Sequence, residues 1–370
     1  MPPPNRAGLN SEVEAVDPPR SMNSHEMELP RRILVGHGVA SELGRFMDSL
    51  GLGGSVLLVS GTHVRRRVEG IVAGSLRGWE PEPVWMEVSV PTLEEVERVR
   101  GEAVKSRADV IVGIGGGKGV DVAKLVAFKT GKPFISVPTS ASHDGIASPF
   151  TSLTGMDKPY SVRSRTPLGV LADIDVIADA PARLLASGCG DLVAKFTAVK
   201  DWELARDEKS EYYGEYAASL ALLSAQVVTR RAEAIGKHEP DSVRGVVEAL
   251  ISAGVAAGIA GSSRPLSGSE HLFSHALSIV APGAGLHGEK CGVGTIMVSR
   301  LQDDDWGRIS DALEKIHAPR TARQLGISAE QVTDALIMAP KVRPERYTIL
   351  HKRSLDRDAA VKLATETGVI

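Results

Sequence analysis

In the first part of the chain, short apolar runs alternate with longer segments of helical spacing. Arg32, Ile33, Leu34 and Val35 read as a short strand closed by Gly36 and Gly38. Over residues 39–50, Val39, Leu43, Phe46, Met47 and Leu50 recur at helical spacing, and Gly51 ends the segment. Residues 55–60 (SVLLVS) form a continuous apolar run bounded by glycines, the pattern of a strand covered on both faces. A helical stretch through Val68 and Val72 and a strand over 84–88 come next. Thr92 and Glu95 then make a capping box that opens a helix running to about Ser106. Strands over 109–114 and 133–137 enclose one more helix, over 120–128.

The pattern changes between residues 154 and 175, where 158–163 and 169–173 read as the two strands of a hairpin-like excursion. From Pro181 onward strand signals almost vanish. Ala- and Leu-rich helical stretches cover 192–204, 211–234, 242–260, 270–280, 306–313, 329–338 and 357–365. The expected architecture is an α/β domain with a parallel sheet over 27–180, followed by an all-helical domain over 181–370. Residues 1–26 are rich in proline and polar residues and show no period, so a disordered extension is expected there. Met22 and Met27 are alternative starts.

Composition narrows the function classes. A chain of 370 residues is long enough for two real cores. A formal net charge of −3 argues against nucleic acid or an anionic membrane as the main partner, since both demand a basic excess. Cys189 and Cys291 lie far apart and form no paired motif, which fits a reducing, cytoplasmic setting and casts each thiol as a small buried hydrophobe. The start has no basic segment leading into an apolar core, so it is not a signal peptide. No uncharged apolar run is long enough to span a bilayer, and residues 249–263 read as a packed helix.

Four stretches carry chemistry. Gly113 to Asp121 (GIGGGKGVD) lies between a buried strand and a helix, where glycines admit a pyrophosphate and the helix start supplies free N–H groups. The stretch matches neither a Walker loop nor a first-turn Rossmann fingerprint. Pro138 to Pro149 (PTSASHDGIASP) follows the next strand, and its hydroxyls and carboxylate suit a ribose and a polyol; the plain alternative is a Ser-rich polar turn. Asp191, in GCGDLVAK, reads as a residue at a helix start, either a cap or the anionic partner of two imidazoles. Lys195, one turn on, could hold that carboxylate. His271 and His275 share a helix face, and His287 returns after the break at Pro282 and Gly283. The three are either ordinary polar residues near a helix end or part of a catalytic zinc site with an open position.

In order, GGGK-x-x-D, PTSASHDG-x-x-SP, G-x-GD-x-x-x-K, H-x-x-x-H and HGEK resemble the glycerol dehydrogenase/iron-type alcohol dehydrogenase superfamily, from about residue 30 to the C-terminus. The PTSASHDGIASP block and the SVRSRTPLGVLADI that follows it look like the archaeal sn-glycerol-1-phosphate dehydrogenases within it. The resemblance implies a dehydroquinate synthase-like fold, with a nucleotide-binding α/β domain, an all-α domain and the active site between them. It implies dinucleotide contacts from Gly117, Lys118, Gly119, Val120, Asp121, Thr139, Ser140, Ala141, Ser142 and Ser148. Asp191, His271 and His287 would be metal ligands, and Asp144, Asp191 and His275 would meet substrate. Lys195 stands where the iron-type branch carries a fourth ligand, which favours zinc. Asp191, His275 and Lys195 are the catalytic candidates.

The implied reaction is reduction of dihydroxyacetone phosphate to sn-glycerol 1-phosphate, a backbone of archaeal membrane lipids. The sn-1 stereochemistry rests on the resemblance alone. Lys158, Arg163, Lys195 and Lys290 are the candidates for binding the phosphate. No acid follows the SVLLVS strand, while Arg65, Arg66 and Arg67 lie close by, so NADP(H) is expected alongside NAD(H). The rivals are a glycerol dehydrogenase acting on an unphosphorylated polyol and a 3-dehydroquinate synthase-like lyase. Asp191, where the lyase family carries Glu, speaks against the lyase. A homo-oligomer is expected.

Overall fold

A computed structural model of the chain describes residues 24–153 and 161–370. The extension expected over 1–26 lies largely outside the described residues, as does Lys158. Its last residues are described, and there His25 bonds the carbonyl of Ile259 through Nε2 at 2.6 Å.

The first part contains β1 (Arg32–Gly36), α1 (Leu43–Asp48), β2 (Val56–Ser60), α2 (Thr62–Ser75), β3 (Val84–Glu87), α3 (Leu93–Lys105), β4 (Val110–Gly115), α4 (Gly117–Thr130) and β5 (Phe134–Pro138). After these come β6 (Phe150–Ser152), β7 (Ser161–Arg163) and β8 (Gly169–Asp173). Six strands form one sheet in the order β1-β8-β5-β4-β2-β3, with every pairing parallel. Every residue of β2, β4, β5 and β8 is buried, which is why these segments read as continuous apolar runs rather than alternating ones. The Thr92 cap of α3 forms as expected, its hydroxyl accepting from the Glu95 N–H.

The hairpin expected from 158–163 and 169–173 does not form. Gly169–Asp173 instead enters the main sheet between β1 and β5, while β7 pairs antiparallel with β6. The physical reason is burial: a strand with the apolar run Val170, Leu171 and Ala172 is stable only where both of its faces are covered, and the gap between β1 and β5 provides that cover.

The described residues after β8 are helical. They form α5 (Ile174–Ala178), α6 (Ala182–Val193), α7 (Lys195–Lys209), α8 (Glu215–Gly236), α9 (Pro240–Ala260), α10 (Ser269–Val280), α11 (His287–Leu301), α12 (Trp306–Lys315), α13 (Ala322–Leu325), α14 (Ala329–Val342), α15 (Ile349–Arg353) and α16 (Arg357–Glu366). Among the described residues, α9 alone is long and apolar enough to cross a membrane, and 72% of its apolar window is buried inside the chain. The helical core reaches Val170 and Ala172 of β8, so it is continuous with one end of the sheet.

Helix α11 was not expected from the pattern, because Gly288, Gly292 and Gly294 lower its helical propensity. Packing explains these glycines. A Cβ on Gly190 of α6 would stand 2.2 Å from the Gly288 carbonyl oxygen, and one on Gly288 would stand 1.8 Å from the Ser187 carbonyl oxygen. The α6 and α11 backbones therefore touch directly. Replacing Gly190 with Ala should cost about 1–3 kcal/mol, because the obstructing atom is backbone and cannot rotate away. A lowered urea midpoint at unchanged slope checks this.

Candidate active site

The nucleotide-binding candidates sit at the carboxyl edge of the sheet. Strand order reverses between β2 and β4, and such switch points open a crevice. Gly117, Lys118, Gly119, Val120 and Asp121 form the first turn and a half of α4. Thr139, Ser140, Ala141 and Ser142 follow β5 directly, with the Ser140 and Ser142 hydroxyls 3.4 Å apart. The start of α4 and the loop after β5 adjoin, since a Cβ on Gly116 would stand 2.9 Å from the Ser140 hydroxyl.

Two of the expected contacts are turned inward. The Asp121 carboxylate is buried, 3.7 Å from the Lys124 ammonium, and accepts from the Ser152 N–H. The Ser148 hydroxyl is buried and donates to the Phe150 carbonyl. Lys124, which the sequence reading passed over, is also buried and donates to the carbonyls of Gly145 and Phe150 at 2.6 and 2.7 Å. Lys124 thus ties the two ends of the loop over 144–150 to α4, with Asp121 holding the Ser152 N–H just beyond it.

Glu87, at the end of β3, is likewise unexpected. It accepts from Thr62 Oγ1 at 2.6 Å and pairs with Arg65 at 3.1 Å. A carboxylate from the neighbouring strand therefore stands at the end of β2, where the local sequence has none. Arg65 is also paired with Glu69, and Arg67 with Asp179.

The helical half contributes Asp191, His271, His287 and Cys291. Their donor atoms all lie within 4.8 Å of one another. Asp191 Oδ1 is 3.4 Å from His271 Nε2 and 4.0 Å from His287 Nε2, and Cys291 Sγ is 3.7 Å from His287 Nε2. Around a tetrahedral zinc, N and O donors stand about 3.4 Å apart and an S–N pair about 3.6 Å, so the four groups fit such an ion. The electrostatics agree. Burial raises the Cys291 thiol, but the His271 and His287 imidazoles outweigh it and bring the thiol down to about 6. Burial lowers His271, yet Cys291, Asp191 and Glu270 together lift it well above the usual imidazole range. Acids converge on imidazoles, and the centre of the cluster favours positive charge.

Asp191 does not stand at a helix start as expected. It lies in the last turn of α6, and Lys195 begins α7. Both are buried. Lys195 Nζ donates to the Asp191 carbonyl at 2.8 Å, to Asp191 Oδ1 at 3.0 Å and to Asp144 Oδ2 at 2.6 Å, which uses all three ammonium hydrogens. Asp191 Oδ2 accepts from the Asp144 N–H at 2.9 Å. Burial opposes the Asp191 charge, but Lys195 and the two imidazoles hold its carboxyl well below the usual carboxylate range. The substrate candidate Asp144 is thus drawn into the same group. His275 lies outside the four-donor cluster, its ring centre 6.5 Å from that of His271 and 6.3 Å from that of His287. Burial and the surrounding His287, His271, Arg343 and Lys290 keep its pKa well below the usual imidazole value, so it is neutral at pH 7.

Residues 34–181 match the model of the iron-containing alcohol dehydrogenases. The chain is 55% identical over 349 residues to a glycerol-1-phosphate dehydrogenase [NAD(P)+] of Cenarchaeum symbiosum, covering 94% of this chain and 98% of that one. With its counterpart in Nitrosopumilus maritimus it shares 50% identity at the same coverage. The chain belongs to the glycerol-1-phosphate dehydrogenase [NAD(P)+] family. The fold is that of a probable glycerol dehydrogenase from Sinorhizobium meliloti, with a TM-score of 0.77 at 22% identity over 94% of this chain and 100% of that one.

Two residues complete the centre beyond those the family motifs suggested. Cys291 lies four residues after His287, on the same face of α11, so an H-x-x-x-C spacing was present in the sequence. Its place in the cluster corrects its reading as an inert hydrophobe. Cys189 does fit that reading, since burial alone pushes its thiol up. Glu270 is fully buried and accepts from His271 Nδ1 at 2.8 Å, from Thr197 Oγ1 at 2.7 Å and from the Gly268 N–H at 2.7 Å. It fixes the His271 tautomer and turns Nε2 towards Asp191. Glu270→Gln should weaken divalent-metal affinity by about 10–100-fold, measured by competition with a chelator.

Proposed function

We propose that this chain reduces dihydroxyacetone phosphate to sn-glycerol 1-phosphate, using NADH or NADPH and one zinc ion. The observation that carries the reading is the convergence of Asp191, His271 and His287 beside the loop that follows β5, in a chain of this family. Zinc suits a donor set of one carboxylate, two imidazoles and a thiol better than iron does, and Lys195 occupies the position of the iron branch's fourth ligand. When bound, the ion supplies Lewis-acid stabilisation of alkoxide charge and the nicotinamide supplies hydride.

The protein's own groups do the rest. Asp191, His271 and His287 hold the ion, with Cys291 offering a fourth donor. Lys195 compensates the charge of Asp191 and Asp144 and keeps both in place. The neutral His275 positions a substrate oxygen and relays a proton to the forming hydroxyl, taking one from water on one ring nitrogen as it releases one from the other. The N–H groups of Gly117, Lys118 and Gly119 bind the pyrophosphate, Val120 and Ala141 contribute main chain only, and Thr139, Ser140 and Ser142 meet the ribose. Asp121 holds the Ser152 N–H at the end of the segment after β5, and Ser148 bonds within that segment to the Phe150 carbonyl. Self-association is supported by Tyr216 and Leu223, 71% and 56% exposed on one face of α8.

Complete chelation should abolish NADPH oxidation with dihydroxyacetone phosphate while leaving NADPH binding, followed by fluorescence titration, within about twofold. Turnover that survives chelation, or equal turnover of unphosphorylated dihydroxyacetone at the same concentration, overturns the reading. Gly61→Asp tests cofactor use. A Cβ there meets nothing closer than the Val88 carbonyl at 3.7 Å, so the substitution is sterically tolerated. It should raise the Kd for NADPH by about tenfold or more and that for NADH far less, because only the former brings a 2′-phosphate to the new carboxylate.

A further inference from the structure

We infer that Lys290, held in place by the Ser278 hydroxyl, binds the substrate's phosphate; the inference rests on the substrate reading above. Of the cations singled out in the sequence, Lys195 has no hydrogen left to donate. Arg163 lies on β7 in the small ribbon, where its charge acts on Glu28. Lys290 stands at the metal cluster itself, three residues after His287 and one before Cys291.

Two packed helices shape this corner. Ser278 on α10 follows His275 by three residues, as Lys290 on α11 follows His287, so each lies about one turn, or ~5 Å, from an imidazole. Lys290 Nζ donates to Ser278 Oγ at 2.5 Å, bridging the helices, and Ser278 Oγ donates to the Ser274 carbonyl at 2.9 Å. In the triose phosphate, two atoms separate the ketone carbon from phosphorus, a reach comparable with that turn. Arg343, just beyond the end of α14, brings a second positive charge towards His275 and is anchored by Glu345 at 2.9 Å.

The charge balance points to an anion. Among the described residues Lys290 forms no ion pair, and the neighbouring Glu289 is engaged by Arg183 at 2.5 and 2.7 Å. A half-buried ammonium with no carboxylate at ion-pair distance among the described residues bears a desolvation cost. A phosphate dianion would restore the balance through charge-assisted hydrogen bonds from the two Lys290 hydrogens that Ser278 leaves free.

The test compares zinc-loaded wild type with Lys290→Met and Lys290→Arg, checked for metal content and NADPH binding. The readouts are the ratio of kcat/KM for dihydroxyacetone phosphate to that for dihydroxyacetone, and the competitive inhibition constant of inorganic phosphate. Lys290→Met should lower the ratio by about ten- to hundredfold and weaken phosphate inhibition in step, with Lys290→Arg recovering part of both. A wild-type preference that Lys290→Met retains overturns the subsite and leaves the substrate reading standing, as does an equal loss on both substrates. A wild type that shows no preference for the phosphorylated ketone overturns the substrate reading, and the subsite with it.

Discussion

The arrangement depends on one buried ammonium and the two carboxylates that share it. Lys195 is fully buried and spends its three hydrogens on the Asp191 carbonyl, the Asp191 carboxylate and Asp144. The other Asp191 oxygen is taken by the Asp144 N–H. Asp144 belongs to the loop after β5, whereas Asp191 and Lys195 straddle the junction of α6 and α7. This group therefore joins the sheet to the helices and leaves Asp191 Oδ1 facing both imidazoles. Removing one member of such a group strands a buried charge, at a cost of about 3–5 kcal/mol. Fixing the carboxylate this way makes its direction a property of the fold rather than of a mobile side chain.

Two further constraints converge on that oxygen. Backbone contact between α6 and α11 at Gly190 and Gly288 brings the start of α11, and so His287, up to the end of α6. On α10, Glu270 fixes which nitrogen His271 presents. Each acts through packing or a hydrogen bond made away from the metal cluster. The nucleotide side is built differently, from main-chain groups at the start of α4 and hydroxyls after β5, with Lys124 and Asp121 buried beneath the loop that carries Asp144. The loop after β5 thus borders the nucleotide crevice and also carries the residue that holds Asp191. Its bracing lets one segment serve both halves.

The secondary structure was largely legible, because buried parallel strands and packed helices have distinct apolar periods. The failures have specific causes. Gly169–Asp173 was recognisable as a strand, yet nothing local says that its partners are β1 and β5, more than thirty residues away in the case of β5. The α11 segment was hidden by glycines whose purpose lies on another helix. Asp191 was placed at the wrong end of its helix, since a carboxylate beside glycines looks like a cap. Cys291 lies four residues after His287, but that spacing gains meaning only when Asp191 and His271 arrive from other helices.

By itself, the sequence determined the alternation of strand and helix, the glycine-rich turn after β4, the residue types able to bind a divalent ion and the family. These follow from local spacing and from the chemistry of individual side chains. Only the tertiary structure decided which residues meet. It brought Cys291 and Glu270 to the histidines, committed Lys195 to Asp191 and Asp144 and left Lys290 bonded to Ser278 with no ion-pair partner among the described residues. The physical reason is that a coordination site or an ion pair is a matter of a few ångströms between atoms far apart in the chain. Those distances are set by backbone packing and burial, which no local pattern of residues encodes.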